Sequence, residues 1–424
     1  MPDALVFHDL VGSDREPTRE EDAWLAVIAG ETDPSNHTVK LAASVTASDP
    51  GPVLQRQLDG TWRAGRYIGE LRRDGRTLEI RPRLDIAVIA AWASAALNVR
   101  IVPRAAEHRR TSALIAELLA ATWRSAVVAA ARHGLPGLRV RRQQVGPHAR
   151  GRLDVPATLR MRAARRPLLA TINRPKIIDN PVTRSIVLAD RVLDRRLRRP
   201  DWRGDRVEEL MPRLRAAVGS RPPLPSRHEL DRVRYTPITL AYRRAAEMSW
   251  QIAQRRGLRA SATSEQSEGL LIDIAELWEL FLVHCAKRAF GSSAVTHGTR
   301  LVDGRPLLRS ANPEGGTLGR LYPDIVVGNV DWPRAIIDAK YKPLADPRGV
   351  DREDLYQLTS YLAGHQAKPP PLGMLAYTQF PGQATRAYAE ARTPWTTLQG
   401  HQVRFERLPV TEADCVSRLR ALVP

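Results

Sequence analysis

The sequence predicts a multidomain α+β protein made of three consecutive segments. A length of 424 residues is enough for two or three domains, each with its own core. We expect residues 1–95 to form a β-rich N-terminal domain, residues 96–260 a basic and mostly helical middle region, and residues 261–424 an α/β domain. A hairpin signal in the first segment, helical periodicity in the second, and alternating helices and strands in the third favour this division.

The first segment contains one clear hairpin signal. In YIGELRRDGRTLEIRPRLD, apolar runs lie on both sides of Asp74-Gly75. An Asp-Gly pair readily adopts the positive φ angles that a tight hairpin turn requires. We therefore expect two antiparallel strands joined at this turn.

The middle segment has strong helical patterns and most of the positive charge. SALIAELLAATWRSAVVAAARHG and PVTRSIVLADRVLDRRLRR both place apolar residues on one face. Residues 100–260 hold 36 basic and 13 acidic side chains, within a formal net charge of +19 for the whole chain. Such a surplus suits a polyanion such as nucleic acid. GC-rich codons would explain why 59 of the 65 basic residues are arginine, but not the local excess over acids.

The cysteines and the apolar segments bear on the cellular compartment. Cys285 and Cys415 are the two cysteines, so the sequence contains neither a disulfide framework nor a CxxC zinc motif. The N-terminus lacks the basic and apolar segments of an export signal, and no uninterrupted apolar stretch reaches about 20 residues. We expect a soluble cytoplasmic protein with no membrane partner.

The last segment has the element order of a small mixed sheet covered by helices. LLIDIAELWELFLVHCAKRAF is expected to be one long helix, followed by short strands within LYPDIVVGNVDWPRAIIDAKYK. The helix DREDLYQLTSYLAGHQ and the strand PLGMLAYTQ come next. Sheets of this kind carry their functional sites at strand ends.

Two acids and a lysine lie at the ends of the apolar strands in this last segment. If GNVDWP is a turn, strands 321–327 and 334–341 pair as a hairpin, with Asp324 opposite Ile337 and beside Asp338. Lys340 lies on the same face as Asp338, because side chains two residues apart in a strand share a face. The sequence therefore predicts a cluster of two carboxylates and one ammonium group.

Such a cluster favours a divalent cation and phosphodiester chemistry. Two close carboxylates repel each other unless a cation lies between them, and Mg²⁺ prefers carboxylate oxygens and substrate phosphates. Lys340 could then orient an attacking water or stabilise negative charge on the phosphoryl oxygens. A structural ion-pair cluster is the alternative for Asp324, Asp338 and Lys340.

These residues resemble the PD-(D/E)xK nuclease motif. Pro323-Asp324 is followed, after thirteen residues, by Asp338-Ala339-Lys340, and the surrounding element order is similar to that nuclease fold. The resemblance implies an Mg²⁺ cofactor, with Mn²⁺ as an alternative, held by Asp324 and Asp338.

Two further parts of the motif concern the flanking helices. Gln357 and Tyr361 resemble the QxxxY element of the RecB-like branch, which implies a role near the metal or DNA. Glu279 is similar to the helical glutamate that many of these nucleases add to the metal site. The alternatives are a hydrogen-bonded surface pair for Gln357 and Tyr361, and a solvated helix edge for Glu279.

Over residues 62–380 the sequence resembles the McrC family in particular. LLIDIAELWELFL, LYPDIVV, AIIDAKYK and DLYQLTSYL are similar to its C-terminal pattern, and YIGELRRDGRTLEIRPRLD and GRLDVPATLR to its earlier segments. The resemblance implies an endonuclease subunit of a modification-dependent restriction system that cuts double-stranded DNA.

The McrC resemblance also implies a separate partner. McrC-like proteins act with McrB, an AAA+ GTPase that forms a hexameric ring, and this chain contains no GxxxxGK[ST] motif of its own. Two other functions stay open from the sequence: a non-cleaving activator of a ring NTPase, and a RecB-like repair exonuclease.

Overall fold

The chain forms two compact units in the computed structural model. Residues 4–38, 41, 51–97, 99, 111–139, 142–254, 268–298, 301, 304–312, 315–344, 346, 349–365, 369–383 and 395–424 are described. The first unit contains Met1–Ala121 and Arg259–Pro424, and the second contains Thr122–Leu258. The expected segments 1–95, 96–260 and 261–424 do not coincide with these units, because both ends of the chain belong to the first one.

Strands and helices follow one another in mixed order. The described strands are β1 (Leu5–His8), β2 (Leu54–Arg56), β3 (Trp62–Ala64), β4 (Tyr67–Arg73), β5 (Arg76–Arg81), β6 (Leu138–Arg139), β7 (Arg142–Gly146), β8 (Arg152–Leu153), β9 (Leu169–Asn173), β10 (Lys176–Ile177), β11 (Glu268–Asp273), β12 (Val295–His297), β13 (Arg305–Arg309), β14 (Thr317–Leu321), β15 (Ile325–Gly328), β16 (Pro333–Lys340), β17 (Leu372–Thr378), β18 (Trp395–Thr396) and β19 (Gln402–Leu408). The described α-helices are α1 (Arg19–Glu31), α2 (Pro34–His37), α3 (Ile86–Leu97), α4 (Thr111–Ala131), α5 (Val155–Ala163), α6 (Pro181–Leu197), α7 (Asp205–Val218), α8 (Arg227–Asp231), α9 (Tyr242–Gln254), α10 (Ile274–Phe290), α11 (Arg352–Ala363) and α12 (Glu412–Leu422).

A four-stranded sheet in the first unit combines N-terminal strands with a strand that follows the second unit in the sequence. Its strand order is β1-β5-β4-β11, so a strand from the C-terminal part completes an N-terminal sheet. The predicted hairpin is confirmed: β4 and β5 are antiparallel, and Asp74 and Gly75 have φ angles of 52° and 75°. The face toward α1 is apolar, with Phe7, Leu25 and Leu71 in one buried cluster.

The beginning of the predicted long helix is a strand instead. β11 pairs with β4 from Glu268 to Asp273, which explains why its leucines and isoleucine are buried on a sheet. Asp273 then caps α10, since its Oδ1 accepts hydrogen bonds from the backbone N–H groups of Ala275 and Glu276. The helical prediction is wrong for 270–273 and confirmed from Ile274 onward.

A second, six-stranded sheet carries the C-terminal half of the first unit. Its order is β12-β15-β16-β17-β19-β18, with β16, β17 and β19 parallel and the other pairs antiparallel. The predicted strand 321–327 is divided, because Leu321 ends β14 and β15 begins at Ile325. β13 and β14 form a separate two-stranded hairpin between β12 and β15.

Aromatic packing connects the N-terminal helix α3 with the C-terminal half of this unit. The ring of Trp92 lies 4.9 Å from that of Trp278 and 5.3 Å from that of Phe281, both on α10. The Trp92 indole N–H also donates to the carbonyl of Val410 over 2.8 Å. Burial of such large rings contributes strongly to stability.

The second unit is mostly helical, as expected, with small sheets added. α6 packs on α9, and Asn180 caps α6 through the N–H groups of Val182 and Thr183. β7, β9 and β8 form a three-stranded sheet within the basic region. Buried Asp190 on α6 binds Arg203, with Oδ1 2.6 Å from the guanidinium Nε.

Among the described residues, one helix is long and apolar enough to cross a membrane by composition alone. This helix covers Ala113–Ala131, and 67% of its most apolar window is buried inside the protein. Burial to that extent is typical of a core helix.

Candidate active site

Two neighbouring strands bring Asp324 and Asp338 to the same end of the six-stranded sheet. β15 and β16 are antiparallel, with Ile325 opposite Ile337. Asp324 directly precedes β15, so continuation of this register places it at the level of Asp338. The prediction that Asp324 lies opposite Ile337 is therefore wrong by one residue.

The side chain of Asp338 is buried and only partly satisfied. It is 1% exposed, and its Oδ2 lies 2.6 Å from Lys340 Nζ. Its Oδ1 is buried without a hydrogen-bond partner among the described residues. A buried carboxylate oxygen without a partner is costly, so this oxygen would gain from a bound cation. Asp324 differs, because its Oδ2 accepts the backbone N–H of Ala339 over 2.7 Å.

Burial and mutual repulsion act on these carboxylates. Burial raises the pKa of Asp324 well above its usual value, and the negative charges of Glu279 and Asp338 raise it further. Burial also raises the pKa of Asp338, although the charge of Lys340 opposes the change. The three acids therefore lie near enough to repel one another.

Lys340 is held in its charged form by neighbouring carboxylates. Burial acts to lower its pKa, but the charges of Asp338 and Asp354 outweigh burial and raise the pKa. Asp354 Oδ1 lies 3.4 Å from Lys340 Nζ, and its Oδ2 lies 2.7 Å from Lys342 Nζ. Tyr377 also donates its hydroxyl to Asp354 Oδ2 over 3.2 Å.

Asp354 is a residue that the sequence reasoning missed. It precedes Gln357 and Tyr361 on α11 by three and seven residues, a spacing that places all three on one helix face. This spacing was a usable signal, because the two later residues were already assigned to the site.

Gln357 and Tyr361 connect Lys340 to the backbone before Asp324. Lys340 Nζ donates to Gln357 Oε1 over 2.8 Å, and Gln357 Nε2 donates to the Tyr361 hydroxyl over 2.7 Å. The Tyr361 hydroxyl donates to the carbonyl of Tyr322 over 3.2 Å. The hydrogen-bonded pair therefore extends to Lys340 and to the backbone of Tyr322, although Gln357 itself is exposed.

Glu279 lies on α10 and faces the same end of the sheet. Its Oε1 is 2.7 Å from Nε2 of His297, the last residue of β12. The alternative of a solvated helix edge does not fit this contact or the repulsion between Glu279 and Asp324. No sequence signal pointed to His297, because 18 residues separate it from Glu279.

The donor set fits a hard divalent cation, although no closed ligand cage is formed. Within the part of the chain that the structure describes, no group of three or more His, Cys, Asp or Glu side chains is placed to hold a metal. Lys340 lies against one oxygen of Asp338, and His297 against one oxygen of Glu279. The unpartnered Asp338 Oδ1, the all-oxygen donors and their mutual repulsion nevertheless match what Mg²⁺ would satisfy.

A family model decides the relationship of this chain to known proteins. The model for the McrBC 5-methylcytosine restriction system component matches residues 62–377. The chain belongs to this family. The McrC-type resemblance predicted from the sequence is thereby confirmed, and the matched range includes Glu279, Asp324, Asp338, Lys340 and the α11 residues. No curated protein matches the sequence significantly.

The comparison with solved structures found chains from two McrBC assemblies. One is a chain of the refined half-complex from the tetradecameric assembly of Thermococcus gammatolerans McrB AAA+ hexamers with bound McrC. The two are 16% identical with a TM-score of 0.54, over 99% of each chain. Another, from the cryo-EM structure of the Thermococcus gammatolerans McrBC complex, is 16% identical with a TM-score of 0.42, over 68% of this chain and 88% of that one. At this identity, the first similarity establishes a common fold for the McrBC family member described here.

Proposed function

We propose that this McrBC family protein is the DNA-cutting subunit of a modification-dependent restriction system. It would hydrolyse phosphodiester bonds of double-stranded DNA with Mg²⁺ and so act in defence against phage in the cytoplasm. The observation that supports this function best is the meeting of Asp324, Asp338 and Lys340 at one sheet end, where Asp338 Oδ1 is buried and has no hydrogen-bond partner among the described residues.

The residues of the acidic cluster have different roles in the proposed reaction. Asp338 and Asp324, with Glu279 beside them, would hold the ion. When bound, Mg²⁺ supplies positive charge to the phosphate and acidifies the attacking water. Lys340 is protonated at neutral pH because Asp338 and Asp354 raise its pKa, so it acts as a positive charge rather than as a base. Gln357 holds the lysine Nζ in place.

A partner NTPase belongs to this proposal. The Thermococcus gammatolerans assembly with a similar fold contains McrB AAA+ hexamers with bound McrC. We infer that this chain likewise binds a hexameric McrB-type AAA+ GTPase and stimulates its hydrolysis. The partner would select modified DNA, because nothing in the acidic cluster distinguishes one DNA sequence from another.

Asp338→Asn tests the proposed activity. The variant keeps the side-chain volume but removes the charge that would hold the metal. With the partner NTPase, GTP, Mg²⁺ and methylated plasmid, we expect cutting to fall by roughly 10²–10³-fold. Mg²⁺ should also raise the melting temperature of the wild type but not of Asp338→Asn, since only a folded chain with an intact site binds the ion.

Glu353→Gln is the matched control, because Glu353 is an exposed carboxylate on α11. It should cut and respond to Mg²⁺ like the wild type. Equal cutting by Asp338→Asn and wild type would refute the catalytic assignment. Absence of cutting by the wild type itself, together with intact stimulation of GTP hydrolysis, would leave the non-cleaving activator as the correct function.

A further inference from the structure

An excursion of the chain leaves and re-enters the six-stranded sheet at the candidate active site. β12 and β15 are neighbours, with His297 opposite Ile325. Between them, the chain forms the β13–β14 hairpin, which we call the ribbon (residues 304–321, of which 313 and 314 lie outside the description). At the root of the excursion, the backbone N–H of Gly298 donates to the carbonyl of Asp324 over 3.0 Å.

The ribbon is exposed to an extent that is unusual for paired strands. Leu308 is 58% exposed and Leu318 is 70% exposed, and no described residue from 307 to 320 is buried. A two-stranded hairpin without packing is marginally stable in water. An exposed apolar pair on such a hairpin therefore indicates a surface that is covered by a partner.

The register gives the ribbon two different faces. Leu308 lies directly opposite Leu318, and Pro306 opposite Arg320, so these four residues share one face. Arg309 lies opposite Thr317 on the other face, which also carries Leu307. Both faces therefore combine apolar side chains with arginine, and Glu314 is the one acid among residues 304–321 of the sequence.

The base of the ribbon is tied to the active-site residues. The Tyr322 ring packs against Gly304, where a Cβ atom would lie 2.8 Å from Tyr322 Cε1. The Tyr322 carbonyl accepts the Tyr361 hydroxyl, which is linked through Gln357 to Lys340. The base of the ribbon is thus connected to the hydrogen bonds that hold Lys340.

We propose that the ribbon enters a groove of duplex DNA beside the phosphate that is cut. This inference rests on the proposed function, because it takes duplex DNA as the molecule bound at Asp324 and Asp338. The groove of B-DNA is about 12 Å wide on the major side and admits a two-stranded β-ribbon. Arginine side chains on the ribbon contact the phosphates, and the exposed leucines contact sugars and base edges.

Photocrosslinking from Leu318→Cys tests this contact. The two natural cysteines are buried, so an exposed cysteine can be labelled selectively with a benzophenone maleimide. The labelled chain, in an Asp338→Asn background that prevents cutting, is assembled with its NTPase partner and a methylated 40-bp duplex. We expect crosslinks from position 318 to DNA, and none above background from Leu58→Cys, an even more exposed leucine in the turn between β2 and β3.

Arg309→Ala supplies a second measurement without a label. Loss of one phosphate contact should lower the affinity for the duplex by roughly tenfold and reduce the salt dependence of log Kd by about one. Arg19→Ala, at an exposed arginine of α1, should leave both unchanged.

The outcomes test the DNA contact of the ribbon independently of the proposed cutting activity. Crosslinks from position 318 only to polypeptide, whether a second copy or the NTPase, would overturn the DNA contact. Equal crosslinking from positions 318 and 58 would also overturn it. Crosslinking to DNA by a chain whose wild type does not cut would support the ribbon and refute the proposed nuclease.

Discussion

The surroundings of Asp324 disfavour the charged form of its carboxyl group. Burial and the charges of Glu279 and Asp338 raise its pKa well above the usual value. The folded chain therefore holds a proton on this carboxyl over a pH range in which the unfolded chain has lost it. Across that range, from the ordinary pKa of 3.8 upward, the free energy of unfolding falls as pH rises.

Asp324→Asn should be more stable than the wild type at neutral pH in EDTA. Asparagine keeps an oxygen for the Ala339 N–H but removes the buried charge. We expect its melting temperature to be a few degrees higher at pH 7, with the difference vanishing toward pH 3, where the wild-type carboxyl is protonated too. Calorimetry across this pH range measures the effect. A variant less stable at pH 7 would contradict it, and cutting should be lost in any case.

Gln357→Leu should weaken catalysis while the fold persists. Leucine has similar volume but removes the acceptor of Lys340 Nζ and the donor to Tyr361. We expect kcat for cutting to fall by roughly 10–100-fold with little change in KM, because a misplaced charge costs transition-state stabilisation. Thr359→Val, an exposed change on the same helix, is the control. An unchanged kcat for Gln357→Leu would show that Lys340 needs no such support.

Part of this residue-level arrangement could be predicted from the sequence. Asp324, Asp338 and Lys340 stand at the ends of apolar runs, and strand alternation alone places Asp338 and Lys340 on one face. The contact between Glu279 and His297 could not be predicted, because it joins a helix and a strand whose packing has no local signal. The one-residue error at Ile337 arose because the turn length between the strands is not set by the apolar pattern.

At the level of elements, the pairing of β4 with β11 depends on closely approaching backbones. Gly69 on β4 has a φ of 146°, and a Cβ atom there would lie 2.1 Å from the carbonyl oxygen of Leu270. Gly269 on β11 is equally close to the carbonyl of Glu70. Glycine at both positions therefore allows β11 to pair with β4, and this pairing connects the N-terminal and C-terminal parts of the first unit.

Gly69→Ala should destabilise the first unit strongly. The added methyl group must push β11 away from β4, and we expect a loss of roughly 3 kcal/mol or more in the free energy of unfolding. Gly60→Ala is the control, because Gly60 also has positive φ but a methyl group there meets nothing within 4 Å. Urea denaturation compares the two variants. Equal losses would mean that backbone strain, and not the clash, explains the effect.

Some helices and strands could be predicted from the local sequence, whereas others could not. The turn at Asp74-Gly75 and helices α4, α6 and α11 follow from local composition and periodicity. The strand β11 cannot be distinguished from helix in the sequence, because a short run of leucine and isoleucine has no decisive period. Its strand conformation is imposed by the distant partner β4.

On the scale of the whole molecule, the C-terminal residues do not form a separate folding unit. Residues 261–424 include β11, whose partner is N-terminal, and α10, whose aromatic rings pack on Trp92. Asp9 is fully buried and accepts the backbone N–H of Arg83, and the Arg83 guanidinium lies 4.0 Å from the Phe380 ring centroid. Sequence segmentation missed this connection, since composition changes along the chain while contacts do not follow chain order.

Residues 261–424 expressed alone should therefore fail to fold cooperatively. We expect a broad thermal transition and binding of a hydrophobic dye, because the faces that cover Trp278 and β11 are absent. Co-expression with residues 1–121 should restore a sharp transition, as the two pieces together contain the first unit except residues 259–260. A sharp transition for the C-terminal piece by itself would contradict this view.

The segment Thr122–Leu258 divides the first unit along the chain, so the two parts of that unit are synthesised at different times. The N-terminal strands emerge early but lack β11, and the intervening segment takes roughly 7–30 s to translate at about 5–20 residues per second. Asp324, Asp338 and Lys340 follow later still. A ribosome-bound nascent chain thus has no completed acidic cluster for most of its synthesis, and the proposed DNA cutting would be delayed until most of the polypeptide has been made.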